Sequence, residues 1–197
     1  MCSHAVAHKG DVTVRQIGLP ANETLVTSTF SAPQWDVVVG YGTSSIIDYF
    51  LGDNVPGTNI PTARTAPFTF RQRAFPNGTV YEWTSAMMVS TVAFPDPSAL
   101  PTPVAPIKLE TVGARLVAAR QFSTSSFPTE QDFVAACAGI SADTLPAGFA
   151  VDEKSAWSPT YVFYNAESST AWESECWVEV AAACARREVP AWVRATC

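Results

Sequence analysis

Histidine is almost missing from this chain: His4 and His8 are the only two among 197 residues. With no imidazole in the body of the sequence, a Ser-His-Asp triad or a Cys-His pair has no base to run on. The two histidines stand four apart, a helical spacing that suits a metal clip. They precede the first strand, however, where a frayed terminus is the expectation. Cysteine is present but without metal spacing. Cys2, Cys137, Cys176, Cys184 and Cys197 form no C-x-x-C pair, and their odd number argues for a reducing compartment over a disulfide framework. Positive charge is scarce: 12 Lys and Arg stand against 18 Asp and Glu, a net charge of −6. Apart from Arg71/Arg73 and Arg186/Arg187 the cations are scattered, which argues against a nucleic-acid partner. No apolar run nears the roughly 18 residues of a membrane-spanning helix. The opening MCSHAVAHKG is too short and too polar for a signal peptide. The expectation is a soluble, cytoplasmic monomer, with a plastid as the alternative if a transit segment has been removed. G-x-G-x-x-G, P-loop, G-x-S-x-G and H-E-x-x-H patterns are also absent, so nucleotide binding and the common hydrolase chemistries lack a signature.

What is present is apolar residue in strand and helix periods. Hydrophobic residues make up 47% and charged ones 15%, the balance of a globular chain. A chain this long buries about 70% of its unfolded surface and needs no staple to hold a core. Asp11 to Ile17 alternates as a strand, and Thr24 to Phe30 reads as a second. Ser31 to Gly42 reads as irregular. Phe68 to Arg73 alternates again, and Val80 to Val92 is a long strand after the Pro76-Asn77-Gly78 turn. Residues 95–106 hold five prolines and cannot form a central strand. The pattern then restarts: Ile107 to Val112, Arg115 to Phe122, a helix capped by Thr129 with Asp132 at the reciprocal position, and closing strands Thr160 to Asn165 and Cys176 to Ala181. Phe133, Cys137 and Ile140 form that helix's apolar stripe, so Cys137, like strand residue Cys176, reads as core. The order implies an α+β fold of one domain over 1–197. Its two pseudo-symmetric ββαββ halves, 11–94 and 107–181, would close as a twisted antiparallel β-barrel with two flanking helices.

The most distinctive corner is TSSIIDYFLGDNVPGTNIPTARTAPF, from Thr43 to Phe68. Thr43 and Ser44 are able to cap a helix, and the spacing predicts one from Ser44 or Ser45 to Leu51. Ile46, Ile47, Phe50 and Leu51 form its apolar face, and Gly52 suits a left-handed helix end.

These residues resemble the SOUL haem-binding protein family. VRQIGLPANETLVTSTF is similar to that family's opening strand pair. Tyr49-Phe50-Leu51-Gly52-Asp53-Asn54 followed by Thr65-Ala66-Pro67 is similar to its Tyr-Ile-x-Gly-x-Asn helix end and Thr-Ala-Pro strand. Tyr164-Asn165 and Glu175-Cys176-Trp177 are similar to its closing motifs. The resemblance spans nearly the whole chain. It implies a haem or other tetrapyrrole bound non-covalently in an apolar cleft against the first helix, with basic residues meeting the propionates. Two positions depart from the pattern. Arg64 stands where the family has Met, and Trp172-Glu173-Ser174-Glu175 replaces a stretch that often holds a basic pair. The added acids repel propionates; Arg64, Arg71 or Arg73 would have to compensate.

The site expectation therefore combines Ile46, Ile47, Phe50 and Leu51 with Arg64 and Arg71 as anion anchors. Tyr81, Trp83 and Tyr164, with Tyr49, complete it as walls for a flat ligand, and Met87 joins it as a residue within reach of a haem iron. Ordinary packing explains the aromatic residues as well, and Met87 and Met88 suit core filling better than iron ligation. Two main readings of function result, with a protein-interaction scaffold as a third. One is a carrier or buffer for a tetrapyrrole or similar apolar planar molecule, holding no metal through its own side chains. The other is an enzyme using the same cleft on a different apolar or cationic molecule, with Glu82 or Glu175 as acid or base. Gyrase-inhibitor-like barrels, which turn an internal Glu towards cationic ligands, supply the analogy for those two carboxylates.

Overall fold

A computed structural model of the protein describes residues 4–17, 23–60, 67–74, 81–89, 94, 96–152, 159–164 and 171–183. The longer strands are β1 (His4–Lys9), β2 (Val12–Ile17), β3 (Glu23–Ser31), β5 (Phe68–Ala74), β6 (Tyr81–Met88), β8 (Ile107–Val112), β9 (Arg115–Thr124), β11 (Thr160–Phe163) and β12 (Trp172–Ala182). Three short ones are β4 (Asn54–Val55), β7 (Thr102–Pro103) and β10 (Phe149–Val151), and the helices are α1 (Trp35–Phe50) and α2 (Glu130–Ala138). All pairings are antiparallel, and the ten-stranded sheet runs β1-β2-β9-β12-β11-β5-β6-β3-β8, with β10 on β12. The class is α+β. No pairing joins β8 to β1 among the described residues, so closure into the expected barrel is not observed.

The strand order has an internal two-fold between β5 and β11. On one side β5, β6 and β3 are followed by β8; on the other β11, β12 and β9 are followed by β2. Each repeat thus lends its first strand to the far edge of the other. One ladder row crosses the centre: Ser85 faces Phe70, Phe70 faces Tyr161, and Tyr161 faces Cys176. Both helices fasten to the sheet along that row. α1 lays Gly42 on Ser85, whose hydroxyl donates to the Gly42 carbonyl at 3.1 Å. A Cβ at Gly42 would stand 2.8 Å from that of Ser85, so only glycine permits the approach. α2 is tied by a disulfide between Cys137 and Cys176, with Cα atoms 5.3 Å apart.

That bridge corrects the reading of the cysteines as free core thiols. Spacing along the sequence hid it, because the partners lie 39 residues apart on a helix and a strand. Other corrections are local. α1 begins at Trp35, so much of the stretch expected to be irregular is helix. Val38, Gly42, Ile46, Tyr49 and Phe50 are its buried side, at spacings of four, four, three and one. Thr43 and Ser44, the expected caps, lie inside the helix, where the Ser44 and Ser45 hydroxyls donate back to the Tyr41 carbonyl. The N-terminal histidines belong to no frayed end: β1 pairs with β2, and Val6 and Ala7 pack against the core. β12 starts four residues before its expected first residue, at Trp172.

Gly52 ends α1 at φ +114° as its sequence position implied. Beyond it buried Asn54 donates to the carbonyls of Tyr49 and Thr58 at 2.8 Å and accepts from the Thr58 N–H. The Tyr49 hydroxyl donates to the Pro101 carbonyl. The Tyr-to-Asn motif therefore organises the loop after α1. The Thr129 capping box of α2 is present with both reciprocal bonds.

Candidate functional site

Along β5 and β11, alternate residues face the helices. Phe70, Tyr161 and Phe163 do so, together with Val38 of α1 and Phe133 of α2, and they form one aromatic cluster with Trp35 and Trp83. Phe133 stacks on Tyr161 with centroids 4.7 Å apart, and Trp35 stacks on Phe163 at 5.9 Å. The Trp35 indole N–H donates to the Pro128 carbonyl, joining the start of α1 to the segment that leads into α2.

Packing is not complete where α1 and that segment diverge. A cleft of about 470 Å³ opens there. Val39, Gly40, Thr43, Ser44 and Ile47 give it one wall on α1. Phe68, Phe70, Phe163 and Tyr164 come from the central strands, and Phe127 with Trp172 closes the opposite side. Phe127 stacks on Phe163 at 5.3 Å and meets Trp172 edge-on at 5.1 Å. Three large apolar side chains of the lining stay exposed: Phe127 at 43%, Ile47 at 40% and Trp172 at 36%. Large apolar groups left this open next to one another mark a surface that gains by being covered.

Only part of the expected site comes together here. Ile47 and Tyr164 lie on the cleft. Ile46, Phe50 and Met87 are sealed in a core cluster with Val26 and Tyr49. Trp83 is buried and donates its indole N–H to the Ala32 carbonyl. Leu51 projects from the far end of α1 into solvent. Arg71 alternates with Phe70 and is buried on the sheet face away from the helices. Burial first, then the neighbouring Arg115, lowers its pKa to about 10, while Glu179 and Glu110 act to raise it. Arg64 lies outside the described residues, as do the side chains of Tyr81 and Arg73.

The two carboxylate candidates also lie off the cleft. Glu82 is half-buried on β6, in register with Ser31 and Arg73. Glu175 is on the helix-free face, since its neighbour Cys176 points to α2. Its carboxylate accepts from Arg15 at 2.9 and 3.0 Å, from the Tyr164 hydroxyl at 2.9 Å and from the Trp177 indole at 2.6 Å. Both oxygens are engaged, so this buried carboxylate is already paired and hydrogen-bonded on the sheet face away from the cleft. Burial, reinforced by the Glu175 charge, pushes the Tyr164 pKa up.

Among the described lining residues there is no cation to meet a propionate, and no imidazole, thiolate or thioether to meet iron. The rings suit a porphyrin's flat body, but the residues present do not fit haem as a whole. Phe68, Phe127, Phe163 and Trp172 were absent from the sequence expectation. The Phe68/Phe70 alternation was visible, but nothing in the sequence brings Phe127 and Trp172 together.

No family model matches the chain, and no curated protein matches it. Similar solved structures exist. The C-terminal domain of EcmrR aligns with 91% of this chain and 98% of its own at 11% identity, with a TM-score of 0.52. A hydrolase from Listeria innocua aligns over 89% and 94% at 8% identity, with a TM-score of 0.54. Likenesses at such identities establish a shared fold and nothing about chemistry.

Proposed function

We propose that this protein binds an apolar aromatic small molecule, neutral or cationic, non-covalently in the cleft beside α1, as a carrier or buffer. The observation that carries the reading is the wall of Phe127 and Trp172, both part-exposed and packed on buried Phe163, facing Val39, Thr43 and Ile47 of α1 across about 470 Å³. That volume is in the range of ligand pockets, and ring faces stack on planar molecules or attract cations. A tetrapyrrole, the ligand implied by the SOUL resemblance, would be held by its ring alone. Catalysis is not part of the proposal, because Glu175 is fully engaged elsewhere. The cytoplasmic setting expected from the cysteine count gives way to a compartment oxidising enough to keep the Cys137–Cys176 bridge.

Fluorescence titration with N-phenyl-1-naphthylamine, rhodamine 6G, haemin and metal-free protoporphyrin tests the reading. The first two should bind saturably, and haemin should bind no more tightly than the metal-free ring. Phe127→Ala should weaken binding by about threefold to tenfold, the worth of one ring contact. Saturable binding of none of the four, or tight haemin binding that vanishes without iron, would refute it.

A further inference from the structure

Two glycines, Gly40 and Gly42, flank Tyr41 inside α1. Within a helix glycine is the least favourable residue after proline, because its backbone has the most freedom to lose. Gly42 has a packing reason, its contact with Ser85. Gly40 has none. A Cβ there would meet nothing within 4 Å, and the position lies on the cleft wall. A costly residue that the fold does not require, on the wall of this cleft, points to a demand made by the ligand.

We infer that Gly40 is a specificity-determining residue: its missing side chain sets the width of the cleft for a fused, flat aromatic ligand. This rests on the ligand-binding reading of the cleft. The helix wall runs from Gly40 through Thr43 and Ser44 to Ile47. The notch at Gly40 lets the edge of a broad ring system approach the helix backbone while its face lies on the ring wall opposite. A cleft of about 470 Å³ holds more than one ring. Thr43 supplies a polar handle, since the neighbouring Ser44 hydroxyl is turned back to the Tyr41 carbonyl at 3.2 Å. A branched side chain at position 40 would fill the notch and leave the rest of the cleft unchanged.

The experiment compares the full-length protein with Gly40→Ala and Gly40→Leu, using two neutral probes of different breadth. Nile red is a fused, broad ring system; N-phenyl-1-naphthylamine is narrower. Gly40→Leu should weaken Nile red about tenfold or more, the scale of overfilling a packed site, and the narrower probe by about twofold or less. Gly40→Ala should fall between wild type and Gly40→Leu, and should melt about 2–4 °C higher than wild type as the helix gains a better former. Equal loss of both probes, unchanged Nile red binding, or a lower melting temperature for Gly40→Ala would overturn the role of Gly40. If wild type binds neither probe, the role of Gly40 fails, and the ligand-binding reading fails with it if rhodamine 6G, haemin and protoporphyrin also do not bind.

Discussion

Reducing the Cys137–Cys176 bridge should lower the stability of the whole domain by an amount set by the loop it closes. The bridge spans 39 residues and ties α2 to the middle strand of its half. For a loop of that length the chain-entropy relation gives about 13 cal/mol/K, or about 4 kcal/mol at 25 °C, of stabilisation through the unfolded state. Residual structure in the unfolded chain lowers this, so about 2–4 kcal/mol is the expected range. For a chain of this size each kcal/mol moves the melting temperature by about 2–4 °C, giving a drop of about 4–16 °C. Calorimetry of wild type with and without reductant reads this directly, with no change of side-chain volume. The Cys137→Ala/Cys176→Ala variant should melt near the reduced protein, since alanine leaves no buried polar atom at Cys176, which is fully buried. A non-reducing peptide map should show the two peptides joined. Identical melting with and without reductant, or peptides that run separately, would refute the bridge and the loop argument together.

Gly42→Ala should destabilise by about 1–3 kcal/mol in denaturant unfolding, the opposite sign to Gly40→Ala, because the added methyl meets Ser85 head-on. A neutral result would mean that α1 is free to lift from the sheet. Alkaline stability should fall above pH 10, because burial, aided by Glu130, raises the Tyr161 pKa from 10.0 to about 12. The folded chain holds this proton more tightly, so its contribution is complete below pH 10 and is lost as pH rises towards about 12. Arg71, its folded pKa lowered to about 10, acts in the opposite sense over that window. Tyr161→Phe isolates the phenol and should flatten the decline; an unchanged pH profile would count against it.

Sequence periodicity located the strands because alternation is a local property that survives in each segment. β2, β3, β5, β8 and β9 lie close to where Val12, Leu25, Phe68, Ile107 and Val117 suggested. Thr129 and Asp132 announced α2 because a capping box is made within four residues. The first two turns of α1 were hidden for the opposite reason. Val37, Val38, Val39, Gly40 and Gly42 are poor helix formers, and the helix holds there because Val38 and Gly42 are buried against the sheet. The site was least legible of all. Ile47 was found from its helix face and Tyr164 through the resemblance, but Phe127 and Trp172 meet only because Phe163 lies between the segments that carry them. The bridge between Cys137 and Cys176 likewise depends on a juxtaposition that no local pattern encodes.

The unequal fastening of the two halves accounts for where the cleft lies. α1 runs for 16 residues and α2 for 9, although both cross the same ladder row. α1 extends from Trp35, against Trp83 and Phe70, to Ile46 and Phe50, against Met87. α2 begins only at Glu130, so Phe133 stacks on Tyr161 and reaches Phe163, while Phe68, opposite Phe163 in the next row, is left lining the cleft. Phe163 is packed by Trp35, Phe70 and Phe133, and on the cleft side by Phe127 of the lead-in segment, itself 43% exposed. Another two turns at the start of α2, about 10 Å of helix, would occupy the space beside Val39, Thr43 and Ile47. The shorter second helix leaves that space open, and the disulfide lets it be short: a helix of nine residues has little stability alone and is held at Cys137 by a covalent bond to β12. On this account the staple and the cleft are parts of one arrangement, in which a covalent tie replaces the packing that a longer helix would have provided.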